Sequence, residues 1–307
     1  MDGLQLGQSP PGFRSGFASF IGRPNVGKST LLNQIMRAKV SIISERPQTT
    51  RNAVRGVLTT EAAQAVFIDT PGFHKPRTAL GQKLNAVVHV TLAEVDVVVF
   101  VVDAADGVGS GDAFLAHQLH NVRTPVLVVL NKTDLVAEQA LERQMVAVRA
   151  LGSFEEILPV SAKSGAGVAD LVRLVTSRLP EGPLFYPPDQ VTDQPESVLV
   201  AEIVREKALR LTRDEVPHSI AVVVEEMREA EEEGRLEVDV IVYVERDSQK
   251  GILIGHRGGM LKQIGTEARR EISALLGSRV HLDLRVKVKR DWQRQPGLVE
   301  RFGYGRQ

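Results

Sequence analysis

The 307-residue chain contains no cysteine, so disulfides and thiolate metal sites are excluded and nothing in it calls for an oxidising compartment. The cytoplasm is the expected location. Long apolar runs are also missing: the longest purely apolar stretch, residues 97–102, falls far short of the roughly 20 residues a membrane helix needs. Residues 1–12 carry no basic cluster ahead of an apolar segment and so read as a disordered extension rather than a signal peptide. Excess charge is absent too, with 38 Lys and Arg against 38 Asp and Glu. Neutrality ordinarily argues against nucleic acid, but distribution matters more than the sum. Residues 183–245 hold 6 basic against 16 acidic residues, whereas residues 246–307 hold 14 against 6.

What is present fits about two globular domains, with 43% hydrophobic and 25% charged residues. Short apolar runs at 17–21, 54–58, 65–68, 95–102, 126–130 and 157–160 alternate with helical stretches. Several are apolar at nearly every position, as strands covered on both faces must be, which predicts a doubly wound α/β domain over residues 13–182 with a mostly parallel sheet. The prolines at 180, 183, 187, 188 and 195 predict a linker over 183–196. Beyond it, residues 197–307 read as an α+β domain. A helix over 197–212 precedes a strand pair, 220–226 and 236–245, joined by an acidic turn at Glu231-Glu232-Glu233-Gly234. Two helices around a Gly-rich turn follow, and then a strand in which Val280, Leu282, Leu284, Val286 and Val288 alternate with His281, Asp283, Arg285, Lys287 and Lys289. One face of that last sheet must meet solvent or a ligand.

Gly22-Arg23-Pro24-Asn25-Val26-Gly27-Lys28-Ser29 matches the phosphate-binding GxxxxGK[ST] pattern between a strand and a helix expected to begin near Lys28. Gly22, Asn25, Val26, Gly27, Lys28, Ser29 and Thr30 are the candidate cradle. Its N–H groups wrap a β-phosphate, Lys28 reaches the β- and γ-phosphates, and the Ser29 hydroxyl ligates magnesium. Asp69-Thr70-Pro71-Gly72 ends a strand, placing Asp69 to hold the same metal and the Gly72 N–H to meet a γ-phosphate. Asn131-Lys132-Thr133-Asp134 follows another strand. The Asp134 carboxylate can accept from both N1–H and the 2-amino group of guanine, which adenine cannot satisfy, with the Asn131 side chain toward the base edge. In Ser161-Ala162-Lys163, after a further strand, a backbone N–H can meet the guanine carbonyl while the Lys163 stem covers the ring.

Four boxes in this order resemble the Ras-like P-loop GTPases, and the wording from Gly22 to Ser29 is similar to their bacterial ribosome- and RNA-associated branch. In that branch the effector-loop threonine lies in a Thr-Thr-Arg stretch, here Gln48-Thr49-Thr50-Arg51. The resemblance implies that Thr50, or alternatively Thr49, joins Ser29 and Asp69 on the metal only when a γ-phosphate is present. Phe73 stands where Ras-type enzymes carry a water-orienting Gln, which implies a slow intrinsic rate or another device. Relatives with this substitution and an Asn in the phosphate loop use potassium, so Asn25 is a candidate to hold a monovalent cation; alternatively it only shapes the loop. The expected catalytic groups are therefore Lys28, Thr50, Gly72 and Asn25.

The stretch Ile254-Gly255-His256-Arg257-Gly258 contains GxxG between helices, a turn that can clamp about four nucleotides against an exposed strand. With the strand pair before it and the basic strand after, it resembles a type II KH domain. Candidate RNA contacts are Ile254, Gly255, His256, Arg257, Gly258, Lys262, Arg285, Lys287 and Lys289, and Trp292 either stacks on a base or packs against its own domain. A GTPase domain, linker and KH domain together resemble one family of bacterial ribosome-assembly GTPases, with Val200-Ala201-Glu202-Ile203-Val204-Arg205-Glu206-Lys207 and Val286-Lys287-Val288-Lys289 sharing its wording. That likeness implies binding near the 3′ end of 16S ribosomal RNA during 30S subunit maturation, a monomer, and peripheral association with the inner membrane. The extension before Phe13, Gly259, and Gln295-Pro296-Gly297, expected to break the last helix, depart from the pattern. Two alternatives stay open here: an RNA chaperone whose nucleotide site is structural, against which Lys28, Ser29 and Asp69 argue, and a GTPase acting on transfer RNA or the large subunit, which would lack the domain around residues 254–258.

Overall fold

The computed structural model describes residues 9–305 apart from 47, 74, 75, 121, 214, 215 and 231–233. Most of the expected extension and the three glutamates of the acidic turn thus lie outside the described residues. The chain enters β1 (Arg14–Ile21) through a turn in which the Phe13 N–H donates to the Pro10 carbonyl at 3.0 Å.

Then follow α1 (Lys28–Met36), β2 (Val54–Thr59), β3 (Ala63–Asp69), α2 (Ala79–Glu94), β4 (Val97–Asp103), α3 (Ser110–Leu119), β5 (Val126–Asn131), α4 (Glu138–Arg149), β6 (Glu156–Pro159) and α5 (Val168–Arg178). The strands form one sheet in the order β2-β3-β1-β4-β5-β6, parallel except for β2. β4 shows why an unbroken apolar run is needed: Val97, Val99 and Val101 enter the core shared with α1 and α5, while Val98, Phe100 and Val102 enter the core shared with α3. The C-terminal ends of β1, β3, β5 and β6 meet along one sheet edge, which is where an open α/β sheet binds its ligand.

Residues 183–196 run along the outer edge of β2. The Val57 N–H donates to the Val191 carbonyl at 2.8 Å, the Thr192 hydroxyl to the Arg55 carbonyl at 2.7 Å, and the Gln64 side chain accepts from the Phe185 and Tyr186 N–H groups. Prolines remove donors but leave carbonyls, so such a segment can cover a sheet edge without extending it.

The second unit comprises α6 (Glu196–Leu211), α7 (Val216–Ser219), β7 (Ala221–Glu229), β8 (Arg235–Val244), α8 (Asp247–Ile254), α9 (Gly259–Leu276), β9 (Arg279–Val288) and α10 (Pro296–Arg301). Its sheet has the order β7-β8-β9, antiparallel then parallel, and α6, α8 and α9 bury one face of it. Pro296 begins α10 instead of breaking a helix, because a first-turn residue has no intrahelical use for its N–H. The tail then folds back. Trp292, Val299, Phe302 and Tyr304 pack on Ala221, Ile241 and Tyr243 of the opposite sheet face and on Leu80 and Leu84 of α2. Trp292 is fully buried and donates its Nε1–H to the Ser219 carbonyl at 2.8 Å. No ring face is left for a base, so of the two roles expected for Trp292 the packing one holds, extended across the junction of the two domains.

Candidate nucleotide site and nucleic-acid interface

The phosphate cradle is built by the turn from β1 into α1. A Cβ on Gly22 would lie 2.4 Å from the Val101 carbonyl oxygen, and Gly27 has φ +97°, so neither position tolerates a side chain. Lys28 opens α1 with its ammonium buried, donating to the Gly22 and Arg23 carbonyls at 3.1 and 2.9 Å. Burial lowers its pKa to about 8, against the pull of the Asp69 carboxylate. Bound phosphates would raise it again, so nucleotide affinity is greatest below pH 8 and falls as the pH rises through that value, by up to ~tenfold per unit. A fluorescent-GDP titration from pH 7 to 9 checks this; a flat profile would contradict it.

Next to the cradle, one carboxylate oxygen gathers three hydroxyls. Asp69 Oδ2 accepts from Ser29 at 2.6 Å, Ser41 at 2.9 Å and Thr50 at 3.2 Å, and the Ser29 and Thr50 hydroxyls lie 3.0 Å apart. Asp69 Oδ1 is buried without a hydrogen-bond partner. Burial pushes this carboxyl up, while Lys28 and the hydroxyls hold it down. An all-oxygen set with one unpartnered carboxylate oxygen fits a hard cation such as magnesium. Of the expected ligands Ser29, Thr50 and Asp69 are brought together, and Thr49 is not: its hydroxyl donates to the Arg46 carbonyl at 2.6 Å. Ser41 escaped sequence reasoning because serines in a polar loop carry no spacing signal. Asn33 fixes it, accepting from the Val40 and Ser41 N–H groups at 2.9 Å each.

Gly72 lies against Pro24 of the cradle, where a Cβ would come within 2.9 Å of its backbone. Phe73 turns its ring into a groove between α2 and α3, 5.5 Å from His89 and 5.7 Å from Phe114. Asn25 sits at φ 65° and donates its amide to the Glu45 carbonyl at 2.6 Å, spanning from cradle to effector loop.

At the base end Asn131 joins two loops. Its amide donates to the Val26 carbonyl at 2.8 Å and its Oδ1 accepts from the Ala162 N–H at 2.9 Å, leaving the side chain almost wholly buried. It ties the cradle to the Ser161 loop. Asp134 stays exposed, accepting from the Ser161 hydroxyl at 2.6 Å, and Lys163 is exposed beside it. Lys132 is anchored 2.5 Å from Asp103, which the β4–β5 register sets next to Asn131.

A cavity of about 1000 Å³ joins the cradle, Lys39, residues 43–46 and 48–50 and Gly72 to Glu206, Lys207 and Arg210 of α6. The effector loop is thus held from both domains. Lys39 lies 2.5 Å from Glu206 and also pairs with Glu271 of α9, while Glu206 Oε1 accepts from the Ile43 N–H at 3.0 Å. Burial raises the Glu206 carboxyl, but hydrogen bonds from Lys207 and Lys39 outweigh it and hold the group below the usual range.

On the second domain, α8 ends at Ile254 and α9 begins at Gly259, with Gly255 at φ 71°, Arg257 at φ 49° and Gly258 at φ 77° between them. His256, Arg257 and Lys262 are exposed, and nothing lies within 4 Å of a Cβ placed on Gly258, so a nucleic-acid backbone can approach that turn. β9 is an edge strand with His281, Arg285 and Lys287 exposed, and Lys289 is exposed just beyond its end. The basic and acidic halves that are separate in sequence interleave here. Arg285 pairs with Asp283 of its own strand at 2.8 Å and, through the parallel β8–β9 register, with Asp239 at 3.7 Å, while Lys287 pairs with Glu225 of β7 at 3.6 Å. Exposed pairs of this kind contribute about 0–1 kcal/mol, so phosphates can displace the carboxylates.

Residues 17–132 match the model of a 50S ribosome-binding GTPase family and residues 215–293 that of the KH domain. The chain is 47% identical over 291 residues to GTPase Era of Heliobacterium modesticaldum, covering 95% of this chain and 97% of that protein. It is 51% identical over 301 residues to GTPase Era of Streptomyces coelicolor, with 95% of each covered. Among solved structures, an Aquifex aeolicus Era variant bound to GDP.AlF4- superimposes with a TM-score of 0.91 at 40% identity, covering 95% of this chain and 99% of that one. Era in complex with MgGDPNP and nucleotides 1506–1542 of 16S ribosomal RNA gives the same TM-score, identity and coverage. With the phosphate cradle, the guanine loop and the C-terminal GxxG turn on one chain, and with relatives alike from end to end, the chain belongs to the Era family of GTPases.

Proposed function

We propose that this GTPase is a nucleotide-driven switch that binds 16S ribosomal RNA near its 3′ end through residues 197–307 and assists 30S subunit assembly. The observation that carries it is the shared wall: the effector loop that lines the phosphate cleft also seats α6 of the KH domain. In this reading residues 13–182 form the GTPase domain and 183–196 the connection between the two.

GTP is held by the cradle N–H groups and Lys28, with Asp134 selecting guanine and Asn131 fixing the loops around it. Ser29, Thr50 and Asp69 would hold magnesium, which when bound neutralises charge on the β- and γ-phosphates. Gly72 presents its N–H to the γ-phosphate. Phe73 cannot orient a water, so intrinsic turnover is slow. Asn25, already bonded to the effector loop, would help hold a potassium ion near the transferring phosphate. Turnover is then expected to be several-fold faster in potassium than in sodium at equal ionic strength, and equal rates would remove the cation from the account.

When hydrolysis releases Thr50 and Gly72, the loop holding Glu206 shifts, and with it the seat of the GxxG turn. The RNA interface comprises residues 254–258, Lys262, Arg285, Lys287 and Lys289. Affinity for a 16S 3′-end oligonucleotide is expected to differ by about fivefold or more between the GDP form and a non-hydrolysable GTP analogue, since coupling must be reciprocal. Identical affinities would sink the switch. The same reading has the protein act as a cytoplasmic monomer with peripheral association at the inner membrane; among the described residues no helix is long and apolar enough to cross a membrane.

A further inference from the structure

The threonine that reaches the Asp69 carboxylate is held in place from the other domain. Thr49 contributes the carbonyl of the peptide bond between Thr49 and Thr50, and that oxygen accepts a hydrogen bond from Nη2 of Arg205 in α6. A peptide unit is planar, so fixing its oxygen also fixes the nitrogen and Cα from which the Thr50 side chain hangs. Arg205 is itself fully buried, and its guanidinium is oriented by Glu202, which accepts from Nε at 2.8 Å and from Nη2. On the far side of Thr50 the chain is gripped again by the C-terminal domain. Arg51 is buried, donates to the Ile220 carbonyl at 2.6 Å, and lies over the rings of Trp292 and Tyr304 at 5.5 and 4.9 Å. The Thr49 and Thr50 hydroxyls donate to groups of the GTPase domain, the Arg46 carbonyl and the Asp69 carboxylate, while the backbone between them is steered by α6.

We infer that Arg205, a residue of the RNA-binding half, is a positioning residue for GTP hydrolysis: it sets the Thr49–Thr50 peptide so that the Thr50 hydroxyl reaches the metal site in the triphosphate state. Turnover therefore requires α6 to be docked on the effector loop. The inference rests on the assignment of Thr50 as the threonine used only with a γ-phosphate. A buried charged donor on a single acceptor shifts such an equilibrium by about tenfold to a hundredfold. That shift falls on the triphosphate state alone, because the diphosphate state makes no use of Thr50.

The test compares Arg205→Met, Arg205→Lys and Thr50→Ala with wild type in the full chain. Three quantities are read: kcat for GTP, release of a fluorescent GDP in magnesium, and release of a fluorescent non-hydrolysable GTP analogue in magnesium. Arg205→Met is expected to lower kcat about tenfold or more and to speed analogue release by a similar factor, with GDP release within about twofold of wild type. Arg205→Lys keeps the charge but cannot hold Thr49 and Glu202 with one planar group, so it should fold and show a smaller loss with the same GTP selectivity. Analogue release at the wild-type rate in a folded Arg205 variant would overturn the inference, as would GDP and analogue release accelerating together, the mark of a merely structural residue. Thr50→Ala separates the two layers. If it too spares the analogue, the assignment of Thr50 fails; if it releases the analogue while the Arg205 variants do not, only the role of Arg205 fails.

Discussion

Gly27→Ala is expected to weaken GDP and GTP binding by about a hundredfold to a thousandfold while leaving the domain folded. Gly27 occupies φ +97°, where a residue with a Cβ is strained by roughly 1–2 kcal/mol. The added carbon would also lie 2.2 Å from Asn131 Nδ2. That amide joins the cradle to the Ser161 loop through Val26 and Ala162, so displacing it leaves buried groups unpaired, at about 1–3 kcal/mol. Together these terms come to about 2–5 kcal/mol, the middle of which corresponds to about two to three decades in affinity. Equilibrium binding of a fluorescent guanine nucleotide measures it, with circular dichroism as the control for folding. Affinity within threefold of wild type would show that the cradle is not the phosphate site.

Asp134→Asn is expected to cost GTP about two to four decades in affinity and to admit xanthosine triphosphate in its place. The carboxylate accepts two N–H donors from guanine, and charge-assisted bonds contribute about 1.5–3 kcal/mol each. An amide offers one acceptor and one donor group, which mismatches the 2-amino group of guanine but matches the 2-oxo group of xanthine. The exposed position of Asp134 leaves it reachable by a base, and the Ser161 hydroxyl donates to its Oδ1 at 2.6 Å, which fixes its orientation. Competition between the two triphosphates measures the change. A variant that still prefers GTP, or a wild type that prefers ATP, would remove Asp134 from base recognition.

Both predictions concern loops that follow strands, and those were the parts of the molecule written locally. Strand, glycine-bearing turn and helix lie within about fifteen residues of one another around Lys28, so the chain's own stiffness settles their relation and spacing alone reveals it. The same holds for the GxxG turn between α8 and α9, and for β4, whose unbroken apolar run admits no position except the sheet centre.

Other features depend on residues far apart in sequence. Ser41 on Asp69, Asn131 between Val26 and Ala162, and Glu206 on the Ile43 N–H each join segments 28 to 163 residues apart. Trp292 is apolar enough for a core or a base stack, and only the packing of the tail against α2 chose the core. The acidic and basic halves look like separate surfaces in the sequence, yet the parallel β8–β9 register makes them partners.

From the sequence alone came two domains, the phosphate and guanine loops, and the GxxG turn, because glycine geometry and strand periodicity act over a few residues. Which groups those loops touch, and that the KH domain grips the effector loop, were decided only in three dimensions. They arise when two apolar surfaces from different parts of the chain close on one another, and no local pattern encodes which polar atoms are trapped where they meet.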